Sequence, residues 1–160
     1  MGVVDDAVRL EEAAEVAYRE AAAHAENPSA RRLLGLLADA EATHAAALRG
    51  RRDADDLKGP DLVAAASAWV RGTVEGGASA LSSDVKLLDL LRSAMDLEHR
   101  TEAFYREHAQ SAGDARLVRL FDELAEIERS HYVLMSSLVE YYNRPNEWVE
   151  SAEFGLRPEY

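Results

Sequence analysis

The residues best suited to chemistry in this chain are two glutamate–histidine pairs, each separated by two residues. They are Glu41-x-x-His44 and Glu128-x-x-His131, and each follows a further glutamate by 30 residues, Glu11 and Glu98 respectively. Side chains at positions i and i+3 of a helix are neighbours, so each pair can offer one carboxylate oxygen and one imidazole nitrogen to the same cation. One such pair means little in an acidic chain. Two pairs in the same context indicate a metal site.

The ligand types indicate which metals such a site would hold. Four carboxylates brought together in a protein core repel one another and resist ionisation, and two divalent cations would balance their charge. The chain has no cysteine, and oxygen and imidazole ligands without sulfur favour iron or manganese. Six ligands also exceed the tetrahedral shell of a closed structural zinc site. We therefore predict two divalent cations, of iron or manganese.

The two sets of residues lie at equivalent positions of an internal repeat. Shifting the chain by 87 residues aligns positions 7–50 with 94–137, and 15 of these 44 positions are identical. The identities include all six candidate ligands and one tyrosine in each half, Tyr18 and Tyr105. A duplicated helical hairpin needs no particular acid or imidazole to keep its fold, so the repeated polar residues point to function.

The elements that must position these residues are helices. Alanine, leucine, glutamate and arginine, which are strong helix formers, are abundant. Four prolines, at positions 28, 60, 145 and 158, are expected to interrupt the helices. We expect helices over about 3–25, 29–49, 60–74, 82–111 and 114–142, with Ser29 as the N-cap of the second. Short links join the first two and the last two helices, which predicts two antiparallel hairpins.

These hairpins predict an all-α four-helix bundle, with a long crossover that contains the short helix. At a rise of about 1.5 Å per residue, each early glutamate lies as far before its turn as its Glu-x-x-His pair lies after it. All six candidate ligands therefore share one level of the bundle. We expect residues 1–160 to form a single domain, with a C-terminal tail at 143–160 that docks on the bundle or on a second subunit.

Composition and charge argue against several other classes of protein. The formal net charge of −12 opposes sequence-independent binding of nucleic acid, whose phosphates dominate such affinity. No uncharged stretch approaches the roughly 20 residues that a membrane-spanning helix needs. The first residues lack a basic segment followed by an apolar one, so we expect a cytoplasmic protein.

The pattern Glu11…Tyr18…Glu41-x-x-His44, repeated as Glu98…Tyr105…Glu128-x-x-His131, resembles the ferritin-like di-iron carboxylate proteins. The spacing from glutamate to tyrosine, the run Glu102-Ala103-Phe104-Tyr105 and the segment 146–154 are similar to the rubrerythrins. This resemblance covers nearly the whole chain. It implies carboxylate ligands, two of them bridging, at Glu11, Glu41, Glu98 and Glu128, and terminal nitrogen ligands at His44 and His131.

The resemblance also implies an activity and its partners. It implies a di-iron oxidoreductase that reduces hydrogen peroxide or dioxygen through the four metal-bound glutamates. The chain lacks the four cysteines of a rubredoxin domain, so the electrons are expected from an external donor such as a rubredoxin-type protein. A homodimer is expected as well. Two alternatives remain open: a ferroxidase that stores iron in a cage-like assembly, and a metal-stabilised helical scaffold without enzymatic activity.

One departure from the rubrerythrins affects the expected activity. Thr101 occupies a place where rubrerythrins of the standard kind have a further carboxylate, one turn after the ligand Glu98. That difference puts the peroxidase-type movement of iron in doubt. Glu102, or its repeat mate Glu15, could substitute from the next position, although we expect both to face solvent or pair with arginine.

The remaining chemically notable residues have structural interpretations. Tyr18 and Tyr105 either orient the glutamate ligands or serve as core aromatics. We expect surface positions for three histidines, at 24, 99 and 108, and packing roles for Trp69 and Trp148. The acidic run at 53–56 lacks the spacing of a calcium loop and is expected to be solvated.

Overall fold

The computed structural model describes residues 2–50, 57, 59–75 and 85–154, with the side chains of 73–75, 85 and 142–154 excepted. Within these residues the chain forms five helices and no strand: α1 (Val3–His24), α2 (Pro28–Gly50), α3 (Leu62–Glu75), α4 (Val85–Ser111) and α5 (Ala115–Phe154). Helices α1 and α2 pack as one hairpin and α4 and α5 as another, while α1 contacts α4 and α3 contacts both α2 and α5. The predicted all-α bundle of two hairpins with a short crossover helix is confirmed.

Each long helix turns one stripe of side chains inward. In α1 the buried positions recur at alternating spacings of four and three residues: Ala7, Glu11, Ala14, Tyr18 and Ala21. This spacing is that of one face of an α-helix. The stripe is made largely of alanine, so α1 can approach its neighbours closely while presenting one acid and one phenol to the interior.

Two apolar clusters divide the interior of the bundle. One, the Trp69 cluster, is built around Trp69 with Leu33, Leu37, Leu91 and Met135. The other, the Phe121 cluster, is built around Phe121 with Leu48, Tyr105, Leu120 and Leu124. Along each of the four long helices the candidate ligands lie between residues of the two clusters. The acidic level is therefore enclosed by apolar layers above and below.

The residue that caps the N-terminus of α2 is not the one that the sequence predicts. Pro28, not Ser29, begins the helix, and the side-chain oxygen of Asn27 accepts hydrogen bonds from the backbone N–H groups of Ser29 (2.9 Å) and Ala30 (3.2 Å). Proline suits the first position of a helix because its missing N–H would have no intrahelical partner there. Asn27 is therefore the N-cap, and the prediction of Ser29 was wrong.

The C-terminal helix also departs from the prediction. It runs to Phe154 instead of ending near residue 142, so most of the segment 143–160 that we expected to be a docking tail is helical. Pro145 lies within this helix and supplies no backbone donor, yet the helix continues for nine residues beyond it. The side chains of this segment, Trp148 included, lie outside the described residues, so its docking stays a prediction.

The crossover contains a short helix, as expected, but this helix, α3, begins at Leu62 rather than at Pro60. The side-chain oxygen of Asp61 accepts a hydrogen bond from the backbone N–H of Ala64 (2.9 Å) and so caps this helix.

α4 is described from Val85, and the acidic run at 53–56 lies outside the described residues. None of the helices in the described part of the chain is long and apolar enough to span a membrane.

Candidate metal centre

The four long helices each contribute one buried glutamate to the centre of the bundle. Glu11 lies on α1, Glu41 on α2, Glu98 on α4 and Glu128 on α5, and none is more than 1% exposed. One turn after the glutamates of α2 and α5 come His44 and His131, which are 1% and 4% exposed. Burying six polar side chains in one layer is costly unless they are paired or bind cations.

These side chains form two overlapping groups. In the first, atoms of Glu11, Glu41, His44 and Glu128 all lie within 4.8 Å of one another; in the second, atoms of Glu41, Glu98, Glu128 and His131 do so. Glu41 and Glu128 belong to both groups. The two groups could therefore hold two adjacent cations that share two carboxylates, and each hairpin supplies one of the shared residues.

The imidazoles lie close to several carboxylates at once. His44 Nδ1 is 3.2 Å from Glu128 Oε1, 3.3 Å from Glu41 Oε2 and 3.5 Å from Glu11 Oε2. His131 Nδ1 is 3.2 Å from an oxygen of Glu41, 3.5 Å from Glu128 and 3.6 Å from Glu98. The two rings lie nearly parallel, with centroids 5.9 Å apart.

Several of these buried atoms have no hydrogen bond of acceptable geometry within the described residues. They are Glu11 Oε2, Glu41 Oε1, His44 Nδ1, Glu128 Oε1 and His131 Nδ1. Ligand atoms about 2.1 Å from one octahedral cation lie about 3 Å from each other, which is near the separations observed here. Buried, convergent and otherwise unsatisfied atoms at such separations fit a pair of divalent cations.

The buried carboxylates and imidazoles of the centre shift one another's pKa values. Burial, and next the charge of Glu128, raise the pKa of both Glu11 and Glu98 well above the ordinary value. Burial alone would also raise the pKa of Glu128, but contacts with Glu98 and the two imidazoles outweigh it and lower that pKa. The pKa of Glu41 is lowered too, because contacts with the imidazoles and Glu11 outweigh its burial and the charge of Glu128.

The pKa values of the two imidazoles are raised because carboxylates surround them. Burial lowers the pKa of a histidine, but at His44 the surrounding carboxylates outweigh it and raise the pKa well above the ordinary value. His131 behaves in the same way. Without cations, protons therefore compensate part of the negative charge of the centre.

Two tyrosines link the hairpins at this level. The hydroxyl of Tyr18 donates to Glu98 Oε1, and the hydroxyl of Tyr105 donates to Glu11 Oε1. Burial, followed by the charge of the facing glutamate, raises the pKa of each phenol, so both remain protonated donors. Each tyrosine also belongs to an apolar cluster, so the two interpretations of these residues hold together: they are core aromatics whose hydroxyls fix a carboxylate.

The structure also shows the contacts of Thr101 and of the two glutamates that could substitute for the carboxylate expected at its position. Thr101 is buried, and its hydroxyl donates to the backbone oxygen of Leu97 (3.1 Å). Glu102 pairs with Arg106 (2.8 Å) and Glu15 with Arg19 (2.9 Å), which confirms the expected arginine pairs. Glu102 therefore does not supply the further carboxylate that the resemblance leads us to expect at position 101.

The remaining predictions about single residues are mostly confirmed. His24 and His99 are exposed, but His108 is partly buried and stacks on Phe104 with ring centroids 4.1 Å apart. His108 thus keeps only part of the surface exposure that was expected, because its ring covers an apolar face of Phe104. Trp69 is fully buried at the centre of its cluster, as expected of a packing residue.

Sequence reasoning did not find which glutamate each tyrosine binds. The signal was present, since each tyrosine follows a candidate glutamate by seven residues. Two turns of helix place them on one face, but the bond crosses to the glutamate of the other hairpin. A pocket whose lining includes His44 and His131 has no signal in the sequence, because its walls come from distant segments.

Comparison with known proteins assigns the chain to a family. The family model for rubrerythrin matches residues 3–139. The chain belongs to the rubrerythrin family, whose domain is a ferritin-like helical bundle. Neither the comparison with curated proteins nor that with solved structures gave a significant match.

Proposed function

We propose that this protein is a di-iron oxidoreductase that reduces hydrogen peroxide or dioxygen with electrons from an external donor. The observation that carries the proposal is the pair of buried groups that share Glu41 and Glu128, with five unsatisfied ligand atoms among them. Family membership supports the same function.

The residues of the chain would divide the task as follows. Glu41 and Glu128 would hold both ions, while Glu11 with His44 and Glu98 with His131 would each complete one site. When bound, two ferrous ions supply the two electrons that reduction of a peroxide requires. Tyr18 and Tyr105 would hold the terminal glutamates in place through their hydroxyls, which orients the ligand oxygens.

The choice of iron over other metals rests on the donor set. Carboxylate oxygen and imidazole nitrogen bind iron and manganese well, and the order of affinities alone does not separate the two. We propose iron, with manganese or a mixed pair as the alternative. Metal analysis of protein grown in iron-supplemented and in manganese-supplemented medium measures which metal fills the site, and about two ions per chain are expected.

The partners belong to the same proposal. The chain has no cysteine and so provides no thiolate-bound iron for electron transfer. We propose that a rubredoxin-type protein re-reduces the centre, that the protein is a homodimer and that it works in the cytoplasm. Sedimentation analysis tests the dimer, and a mass large enough for a closed cage would favour iron storage instead.

Anaerobic stopped-flow mixing tests the activity. Iron-loaded, reduced protein is mixed with a stoichiometric amount of hydrogen peroxide or with air-saturated buffer, and the near-ultraviolet absorption of oxidised iron is followed. We expect faster oxidation by peroxide than by air. Glu102→Gln, which alters an acid paired with Arg106, is a matched control that should react like the natural protein. Equal rates with peroxide and air would contradict a peroxidase function.

A further inference from the structure

Three aromatic side chains of α4 form a row that leads away from the metal centre. The row begins at Tyr105, whose hydroxyl donates to Oε1 of the candidate ligand Glu11. The ring of Tyr105 meets that of Phe104 edge to face, with centroids 5.7 Å apart, and Phe104 stacks on His108 with centroids 4.1 Å apart. One hydrogen bond and two ring contacts therefore connect a glutamate of the centre to the imidazole of His108. We call Tyr105, Phe104 and His108 the aromatic row.

The aromatic row runs from the interior towards the surface. Tyr105 is fully buried, whereas Phe104 and His108 are partly exposed. His108 Nδ1 lies 2.8 Å from the backbone oxygen of Phe104, and a carbonyl oxygen can only accept, so this nitrogen carries the hydrogen. The backbone thus holds the imidazole at the outer end of the row, with Nε2 left for solvent or a partner.

The first hairpin has the tyrosine but not the other two rings. Tyr18, the repeat mate of Tyr105, donates to Glu98 in the same way. The positions equivalent to the other two members of the row hold alanines, Ala17 and Ala21. A hairpin of this kind therefore folds and binds its glutamate without the two additional rings. Their presence in the second hairpin alone indicates a role other than support of the ligand.

Electrons that enter the centre must cross protein. The four glutamates are at most 1% exposed, and apolar clusters lie on both sides of them, so an external donor protein would not touch the ions. The rate of electron tunnelling falls steeply with distance, and it falls less steeply through hydrogen bonds and contacting rings than through gaps. The aromatic row offers such contacts from the surface to Glu11.

We propose that the aromatic row is the route by which electrons enter the metal centre, with His108 as the point at which the external donor makes contact. The proposal rests on the proposed function and specifies how its centre is re-reduced. Each donor molecule, a one-electron carrier of the rubredoxin type, loses one electron. Two such transfers return two ferric ions to the ferrous state, and no bond of the row forms or breaks.

Injection of electrons at a fixed point tests the route without the natural donor. Of the five histidines, two are buried candidate ligands, and replacing two of the other three by glutamine leaves one surface histidine. One protein keeps His108, and a second keeps His99, which directly follows Glu98 on the same helix. Each is labelled there with a photoactive ruthenium(II) complex and loaded with ferric iron. A laser flash with a reductive quencher starts the transfer, and loss of the ferric absorption gives its rate.

A substitution in the middle of the row should affect only one of these labelled proteins. Phe104→Leu removes the ring at a partly exposed position and keeps an apolar side chain. We expect it to slow reduction from His108 at least fivefold and to leave reduction from His99 unchanged. Phe104→Tyr restores a ring and should restore the rate. No slowing from His108, or equal slowing from both labels, would overturn the proposal.

The coupling along the row can also be measured without iron. In zinc-loaded protein labelled at His108, a flash with an oxidative quencher produces ruthenium(III). This ion takes one electron from the phenol of Tyr105 and returns to ruthenium(II), while the phenolic proton passes along the hydrogen bond to Glu11. At saturating zinc we expect the transient absorption of a tyrosyl radical, which Tyr105→Phe should abolish and the matched control Tyr18→Phe should keep. No radical, or an equal yield in Tyr105→Phe, would overturn the proposal.

The outcomes separate this route from the proposed function. If Phe104→Leu leaves reduction from His108 unchanged, the route fails, while the reaction of the reduced protein with peroxide is untouched. If peroxide does not oxidise the reduced protein, the proposed function fails, and the zinc-loaded protein alone then decides whether the aromatic row conducts electrons.

Discussion

At the scale of single residues, the centre depends on contacts that cross between the hairpins. Glu11 and Glu98, which each belong to one group only, are held by the tyrosine of the opposite hairpin. Glu41 and Glu128 instead contact both imidazoles. The two kinds of glutamate should therefore respond differently to substitution.

Replacing a shared glutamate should remove both metal ions. We expect Glu41→Ala to bind almost no metal, because both groups lose a carboxylate, whereas Glu11→Ala should retain about one ion in the group of Glu98. Metal content after dialysis, measured by elemental analysis with Glu102→Ala as the control at about two ions, checks this. Equal losses in both variants would contradict the assignment of Glu41 as shared.

Removing one phenol should weaken metal binding without abolishing it. In Tyr105→Phe the carboxylate of Glu11 loses its donor, and loss of such a supporting hydrogen bond lowers metal affinity about 10- to 100-fold. Tyr18→Phe should act to a similar extent through Glu98. Competition with a chelator measures the affinity, and Tyr132→Phe, at a ring whose centroid lies 6.0 Å from that of the exposed His99, should leave it unchanged.

The residue scale shows which part of a site a sequence can predict. The repeat identifies Glu11, Glu41 and His44 because the same polar residue occurs at the equivalent position of the second half. It cannot identify the partner of Tyr18, since the face of α1 that carries Tyr18 meets α4 only after the hairpins have packed. Contacts between distant segments require the fold.

At the scale of elements, the two hairpins repeat each other on their surfaces as well as in the core. Arg19 bridges Glu15 and Asp39 between α1 and α2. Arg106 bridges Glu102 and Glu126 between α4 and α5, at positions exactly one repeat later. Exposed ion pairs contribute at most about 1 kcal/mol each, so the packing of the inner stripes, more than these bridges, must hold each hairpin together.

The cap of α2 is the element-scale feature most open to test. Asn27→Ala removes the acceptor for two backbone N–H groups, and we expect the free energy of unfolding to fall by about 1 kcal/mol. Ser29→Ala, the matched control at the neighbouring candidate cap, should change it by less than about 0.5 kcal/mol. Urea unfolding of the metal-free protein measures both. A larger effect of Ser29→Ala would contradict the observed cap.

Helix boundaries were harder to predict than helices. Asn27-Pro28-Ser29 offers two residues that can cap a helix, and the choice depends on which one precedes the proline that starts it. Pro145 is expected to end α5, but the helix continues through it to Phe154. Periodicity identifies the stripe of a helix well, whereas its ends depend on one or two local hydrogen bonds.

At the scale of the whole molecule, the acidic layer opposes folding until cations or protons neutralise it. The apolar clusters on both sides must supply the stability that holds Glu11, Glu98 and the other ligands in place. Binding of divalent cations then adds stability, about 2.7 kcal/mol when the free metal is at 100 times its Kd.

This balance predicts opposite effects of pH on the stability of the metal-free protein and on the stabilisation that metal adds. Glu11 and Glu98 have raised pKa values, so the energetic cost of ionising them in the fold grows as the pH rises above the ordinary carboxyl value. His44 and His131 also have raised pKa values, so the stability from their protonated forms is present below the ordinary histidine value and is lost as the pH rises. Glu41 and Glu128 have lowered pKa values, so the fold favours their ionised forms and they do not add to this loss of stability as the pH rises.

We therefore expect the Tm of the metal-free protein to fall between pH 5.5 and pH 8, while the rise in Tm caused by a fixed concentration of Mn²⁺ grows over the same interval. The second effect follows because the metal must displace protons from the ligands, and fewer are bound at high pH. Thermal unfolding followed by circular dichroism at constant ionic strength measures both slopes. Glu102→Gln should keep both, since its side chain pairs with Arg106 outside the centre; an increment from Mn²⁺ that shrinks with pH would show that these six side chains do not bind the metal as a unit.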